Sequence, residues 1–337
     1  MKNKILQSVN RFNLNLQGKN VLTEAATGNF VVTPIIAAVA GATVHAFTKD
    51  SKYGDICEVK KQTMNLAREL QVSDKIDVIT NLDELELQNI NIVTNSGFLR
   101  PINKELINKL SSKCVIPLMW EPWEYREKEL DLEACRRKGI KVYGTNENDP
   151  KLKTVEYLGP IAKALLNEHN IIPRRGKILI AGSNKFVIPV EKYLNNHFYD
   201  VQTYTNYKNR IDANSIKSYS TIVLIEHERN DLIIGDNDAL INLESINKNT
   251  FVLHIAGNVN LEGGEFDFIP EQPAPFGHMS YTTDYLDNTA VIDLNVAGLK
   301  VAEGMLRANS LCLEGEEYKD FLESDYYALA FNDPKYL

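Results

Sequence analysis

Gly176-Lys177-Ile178-Leu179-Ile180-Ala181-Gly182-Ser183-Asn184-Lys185-Phe186-Val187 is the stretch that decides the fold. A short apolar, β-forming run ends at Gly182 and a helical period resumes at once, so the segment reads as strand, tight turn and helix. A diphosphate-binding turn of this kind uses three glycines spaced G-x-G-x-x-G. The first makes the turn, the second lets backbone approach the diphosphate, and the third packs helix on strand. Only the first stands here, at Gly182; Asn184 and Val187 fill the other two positions. Asn184 can adopt a left-handed turn and present its amide to an anion, but its side chain crowds the place where a diphosphate presses closest. The next strand, ending Val201-Gln202-Thr203-Tyr204-Thr205, lacks the terminal acid that holds adenosine ribose hydroxyls.

Working outward, the same rhythm of short strand, polar or glycine turn and helix recurs in both halves, as in layers around a parallel sheet. Strands are predicted at 20–24, 43–48, 76–80, 90–94, 114–119 and 141–144, with helices near 30–40, 56–70, 104–110 and 132–138. Gly41 and Gly139 stand where a left-handed C-cap favours glycine, and Asp131 can cap the helix that begins at Leu132. The polar stretch 145–150 and a helical run from 154 to about 167 mark a crossing into a second domain. That domain has strands at 177–181, 200–204, 221–225 and 251–255, followed by a proline-rich loop. A long helical run from about 284 to 308 returns to the first domain, and an acidic, aromatic tail with Tyr318, Phe321 and Tyr336 packs after it. The expected division is 1–150 plus about 285–337, and 151–284, in keeping with a chain of 337 residues.

Composition is that of an ordinary folded protein, 44% apolar and 24% charged. A formal charge of -8 and scattered basic pairs disfavour a general grip on nucleic acid or anionic lipid. The four cysteines form no C-x-x-C pair, which argues against a disulfide framework or cysteine zinc site and fits a reducing compartment. The N-terminus lacks the apolar core of a secretory signal, and the weakly polar run 29–44 is too short to span a bilayer. A cytoplasmic protein with no membrane, nucleic-acid or metal partner is expected.

The phrase Asp131-Leu132-Glu133-Ala134-Cys135-Arg136-Arg137-Lys138-Gly139-Ile140-Lys141-Val142 resembles the hinge region of the D-2-hydroxyacid dehydrogenase (formate/glycerate dehydrogenase-like) family. Ile92-Val93-Thr94-Asn95-Ser96-Gly97, Thr154-Val155-Glu156, the Gly182 segment and Ile246 to His254 fit the same order. The resemblance implies an α/β chain of two Rossmann-like domains, flavodoxin-like plus nucleotide-binding-like, with parallel sheets and an interdomain cleft. It further implies NAD or NADP at Gly182, Ser183 and Asn184, a homodimer, and catalysis by an Arg that holds a carboxylate and a His that moves the proton. Gly257 stands about where that Arg falls, whereas His278 occupies the place of the His, with Gly277 in front of it where the family has Pro.

Ligands of open parallel sheets bind at the carboxyl ends of strands. That rule selects Glu24, Thr27, Gly28, Asn95, Ser96, Gly97, Arg100, Glu121, Trp123, Asn146, Gly182, Ser183, Asn184, Glu226, His227, Asn258 and His278. Glu24 interrupts an apolar strand and needs a partner, which favours a site over a plain helix start. Trp120-Glu121-Pro122-Trp123-Glu124 offers aromatic walls and carboxylates for a sugar, nucleoside or amine, or else fills an interdomain seam. Arg100 suits a carboxylate or phosphate, or a surface turn. His254 reads as a buried neutral histidine, and Glu226-His227-Glu228 lacks the geometry for a metal. Three functions follow: a divergent NAD(P)-dependent oxidoreductase acting on a small polar metabolite with His278 as proton carrier; a non-redox enzyme using Glu24, Glu121 and His278 on a nucleotide- or sugar-like ligand; or a catalytically silent binding or assembly protein.

Overall fold

A computed structural model describes residues 1–152, 154–236 and 238–331; Tyr336 lies outside the described residues. The chain divides into two compact units, Met1–Leu152 with Asn288–Leu337, and Lys153–Asp287.

The first unit begins with α1 (Lys2–Arg11), β1 (Asn20–Glu24), α2 (Val32–Val39), β2 (Thr43–Phe47), α3 (Ile56–Glu69) and β3 (Ile76–Ile79). It continues with β4 (Ile92–Val93), α4 (Lys104–Lys109), β5 (Val115–Pro117), α5 (Leu132–Lys138) and β6 (Lys141–Thr145). The sheet runs β6-β5-β4-β1-β2-β3 with every one of these pairs parallel. Strands covered by helices on both faces must be apolar throughout, and Val21, Leu22 and Thr23 of β1 are fully buried. The helix ends follow local chemistry: Asp131 accepts from the Ala134 N–H at 2.8 Å, and Gly139 closes α5 at φ 79°, the left-handed region that favours glycine.

The second unit contains α6 (Leu158–Glu168), β7 (Lys177–Ala181), α7 (Asn184–Asn196), β8 (Asp200–Tyr204), α8 (Ala213–Ile216) and β9 (Thr221–Ile225). After these come β10 (Leu232–Gly235), β11 (Ile241–Asn242), β12 (Phe251–Ala256), β13 (Asn258–Val259) and β14 (Asp267–Ile269). Its main sheet, β14-β12-β9-β7-β8, is also parallel, and β11-β10-β13 form a small sheet beside it. The small sheet escaped the sequence reading because strands of two to four residues show no usable period. Both doubly wound orders named from sequence are present. The six-stranded nucleotide-binding order lies in the first unit and the flavodoxin-like order in the second.

The chain then forms α9 (Thr289–Ser310), α10 (Gly315–Asp325) and β15 (Ala328–Leu329), which pairs antiparallel with β6. Ile292, Val296, Leu299 and Met305 of α9 are fully buried in the first unit's core, as their helical spacing requires. The helix starts at Thr289 instead of near 284, because residues 284–288 are taken up by turns.

Candidate functional site

In a doubly wound sheet the crevice opens where strand order reverses, at the carboxyl edge. In the first unit that point lies between β1 and β4. The two strand ends are stitched by Thr23 and Thr94, whose hydroxyls meet at 2.8 Å, and the Ser96 hydroxyl donates to Thr94 at 3.0 Å. Asn95, 2% exposed, accepts from the Met119 N–H and so fixes the end of β5 beside them.

Glu24, the last residue of β1, points its carboxyl against the turn after β4. Oε2 accepts the Phe98 N–H at 3.0 Å, while Oε1 has no donor among the described residues and reaches solvent. The approach demands glycine at 97: a Cβ there would stand 1.6 Å from Oε2, on a backbone with φ +25°. Burial raises the Glu24 pKa above the ordinary glutamate value, against the smaller lowering pull of the Phe98 N–H and the Arg100 charge. Arg100 is not its ion-pair partner. That guanidinium binds Glu129 at 2.7 Å and lies over the Trp120 ring. Trp120 itself keeps its indole N–H buried without an acceptor among the described residues.

Other residues singled out from sequence are engaged in structure. Thr27 donates to the Tyr53 carbonyl, and the Gly28 N–H to Gln62, at the start of a short 3-10 turn. Glu121, 2% exposed, accepts from the Trp123 indole at 2.5 Å and from the Asn148 amide at 2.8 Å, and joins Glu124 in a reciprocal cap. Its carboxylate therefore holds the turn after β5 and is not presented to a ligand, and Trp123 serves the same turn while half-exposed. Asn146 binds the Tyr327 carbonyl through its backbone, and the Asn258 amide donates to the Asn230 carbonyl. His278 is exposed on a turn of the second unit. His254 is fully buried, with Ser280 on Nδ1 and the Gly257 carbonyl on Nε2, and burial lowers its pKa.

The second unit's order reverses between β7 and β9, and Glu226, one of the strand-end residues that the sequence selects, occupies that point. Glu226, immediately after β9, is fully buried. Its carboxylate accepts the Ser183 hydroxyl at 2.8 and 2.7 Å, the Tyr207 hydroxyl, and the N–H groups of Glu228 and Arg229 at 2.8 and 3.0 Å. Tyr207 follows β8, Ser183 follows β7 and Glu226 follows β9, so three successive strand ends are tied to one carboxylate. Burial and that hydrogen bond push the Tyr207 phenol pKa well up, and Arg229 stacks on the ring. Asn184 is not left-handed but opens α7 in helical backbone, and Ser183 spends its hydroxyl on Glu226 instead of capping that helix. Gly182 is required by close approach: a Cβ there would lie 2.1 Å from the Ile225 carbonyl oxygen. Gly182 keeps the tight turn, while Asn184 and Val187 place side chains at the other two positions of the diphosphate-binding pattern. Among the described residues no cluster of metal-binding side chains occurs, and no helix is long and apolar enough to cross a membrane.

The fold has clear relatives among solved structures. A dipicolinate synthase chain from Bacillus subtilis superposes with a TM-score of 0.57 over 88% of this chain and 99% of its own, at 10% identity. The corresponding dipicolinate synthase chain from Bacillus halodurans gives 0.51 over 89% and 100%, also at 10% identity. A D-isomer specific 2-hydroxyacid dehydrogenase from Lactobacillus delbrueckii ssp. bulgaricus, in an NAD-complexed form, gives 0.46 over 89% and 99% at 9% identity. No family model matches the sequence, and no curated protein matches it. At these identities the likeness establishes the fold, and function has to be argued from the site.

Proposed function

We propose that the protein is a non-redox enzyme acting on a small polar ligand at the carboxyl edge of its first unit, with Glu24 as general acid and base. One observation carries this reading: a mostly buried carboxyl, raised in pKa, stands at the β1/β4 switch point with one oxygen fixed and the other open. A carboxyl held by the Phe98 N–H keeps its orientation while Oε1 takes a proton from, or returns it to, a ligand hydroxyl or amine. The raised pKa brings protonated and ionised forms closer to balance near neutrality, which suits exchange in both directions. The Thr94, Asn95 and Ser96 strand end, locked by its own hydrogen bonds, supplies a rigid wall to position the ligand.

The experiment is a thermal-shift screen with nucleotides, nucleotide sugars, small hydroxy acids and amines, run on the wild type and on Glu24→Gln. A saturable shift in the wild type that weakens at least tenfold in Glu24→Gln upholds the reading; an equal response in both proteins removes Glu24 from the site. The second reading is an NAD(P)-dependent oxidoreductase with the cofactor at Gly182, Ser183 and Asn184 and His278 moving the proton. The β7–Gly182–α7 succession, and a first turn of α7 that the Ser183 hydroxyl does not cap, favour it. NAD and NADP belong in the same screen. A cytoplasmic homodimer accompanies either reading as an expectation, checked by size-exclusion chromatography with light scattering.

A further inference from the structure

We infer that the second unit is a doubly wound fold whose ligand crevice is sealed by its own chain, with Glu226 as the seal. The seal is independent of the role given to Glu24, and it excludes the NAD(P)-dependent reading. A dinucleotide on such a sheet lies across the end of its first strand, with the diphosphate on the following helix N-terminus and the adenosine ribose against the second strand end. In this unit β7 lies between β8 and β9. A hydroxyl that follows β8 and a carboxylate that follows β9 therefore meet only by crossing the mouth of β7, and Tyr207 and Glu226 do meet. Ser183, inside that mouth, binds the same carboxylate with its hydroxyl.

Three further observations close the space. Gly182 packs so tightly on the Ile225–Glu226 peptide that even a methyl group has no room, so no ligand enters between the ends of β7 and β9. Glu226 is fully buried and has a donor on each oxygen, which leaves it no capacity for a ribose hydroxyl. Arg229, beside the tie, is already on the Tyr207 ring and paired with Asp231 at 2.9 Å. An acidic group in place of glycine backbone also gives the crevice the wrong sign for a diphosphate.

The test uses the full-length protein. NAD and NADP are titrated separately into the wild type through the millimolar range, read by calorimetry and by melting temperature. No saturable heat and no shift are expected; a saturable response to either overturns the inference. Because silence also fits a crevice that is open but weak, Tyr207→Phe and Glu226→Gln are followed by amide hydrogen exchange. Each is expected to lower the melting temperature and to speed exchange of the Glu228 and Arg229 amides at least tenfold, with dinucleotide binding still absent because Asn184 and Val187 remain. Unchanged exchange in both variants shows that the tie does not hold these loops and overturns the seal. Neither variant touches the first unit's strand edge, so the Glu24 experiment stands or falls separately.

Discussion

Glu24 and Glu226 make a natural pair for comparison. Each stands at the end of an apolar parallel strand that flanks the switch point of its own sheet, Glu226 fully buried and Glu24 mostly so. They differ in what their oxygens receive. Glu226 takes two hydroxyls and two backbone N–H groups, a complete shell that makes a carboxylate part of the structure. Glu24 takes one backbone N–H and leaves an oxygen open, so desolvation is not offset and its pKa rises. Burial at a switch point thus does not by itself identify a working carboxyl. The number of donors separates the two.

Deleting each side chain in turn puts this difference under the greatest strain. Glu226→Ala strands four buried or half-buried donors at once and should lower unfolding stability by about 3 kcal/mol. Glu24→Ala strands only the Phe98 N–H and relieves a desolvated carboxyl, so its loss should stay within about 1 kcal/mol. Urea unfolding of the two variants measures the difference, and equal losses would refute the distinction. Gly97→Ala comes next. Its methyl group displaces the Glu24 carboxyl and strains a left-handed backbone, for an expected loss of about 2 kcal/mol together with loss of any ligand shift. Tyr207→Phe removes one of the donors on Glu226 without changing shape, and about 1 kcal/mol is expected.

The sequence made the frame of each sheet legible because strand and helix periods are local. Strands at 20–24, 177–181, 200–204 and 221–225 are observed over those residues, and Asp131 and Gly139 bound α5 as their chemistry dictates. Glu24 was legible for the same reason: a carboxylate ending an apolar strand demands a partner, and the partner is the Phe98 N–H. Glu226 carries the same signal at the end of Thr221–Ile225, but its donors at Ser183 and Tyr207 lie 43 and 19 residues away. Only tertiary structure brings them together. Glu121 differs in the reach of its partners. Its position invited a ligand, while its partners Trp123 and Asn148 satisfy it within the turn and from a neighbouring loop.

The smallest expected effect concerns pH and isolates Glu24 without removing bulk. Because burial raises its pKa in the folded state above the ordinary value of 4.5, the folded protein binds this proton more tightly than the unfolded chain. The linked stability is fully present below the unfolded value and is lost as pH rises through the folded value, opposite in sign to a carboxylate held by an ion pair. Glu24→Gln has no proton to lose there. The stability difference between wild type and Glu24→Gln should therefore move against the wild type as pH is raised from 4.5 upward, then level off once Glu24 is ionised. Parallel urea midpoints across that range would show that Oε1 is as well solvated as an exposed carboxylate. In that case the contrast with Glu226 would rest on donor count alone, without the desolvation on which the proposed role of Glu24 rests.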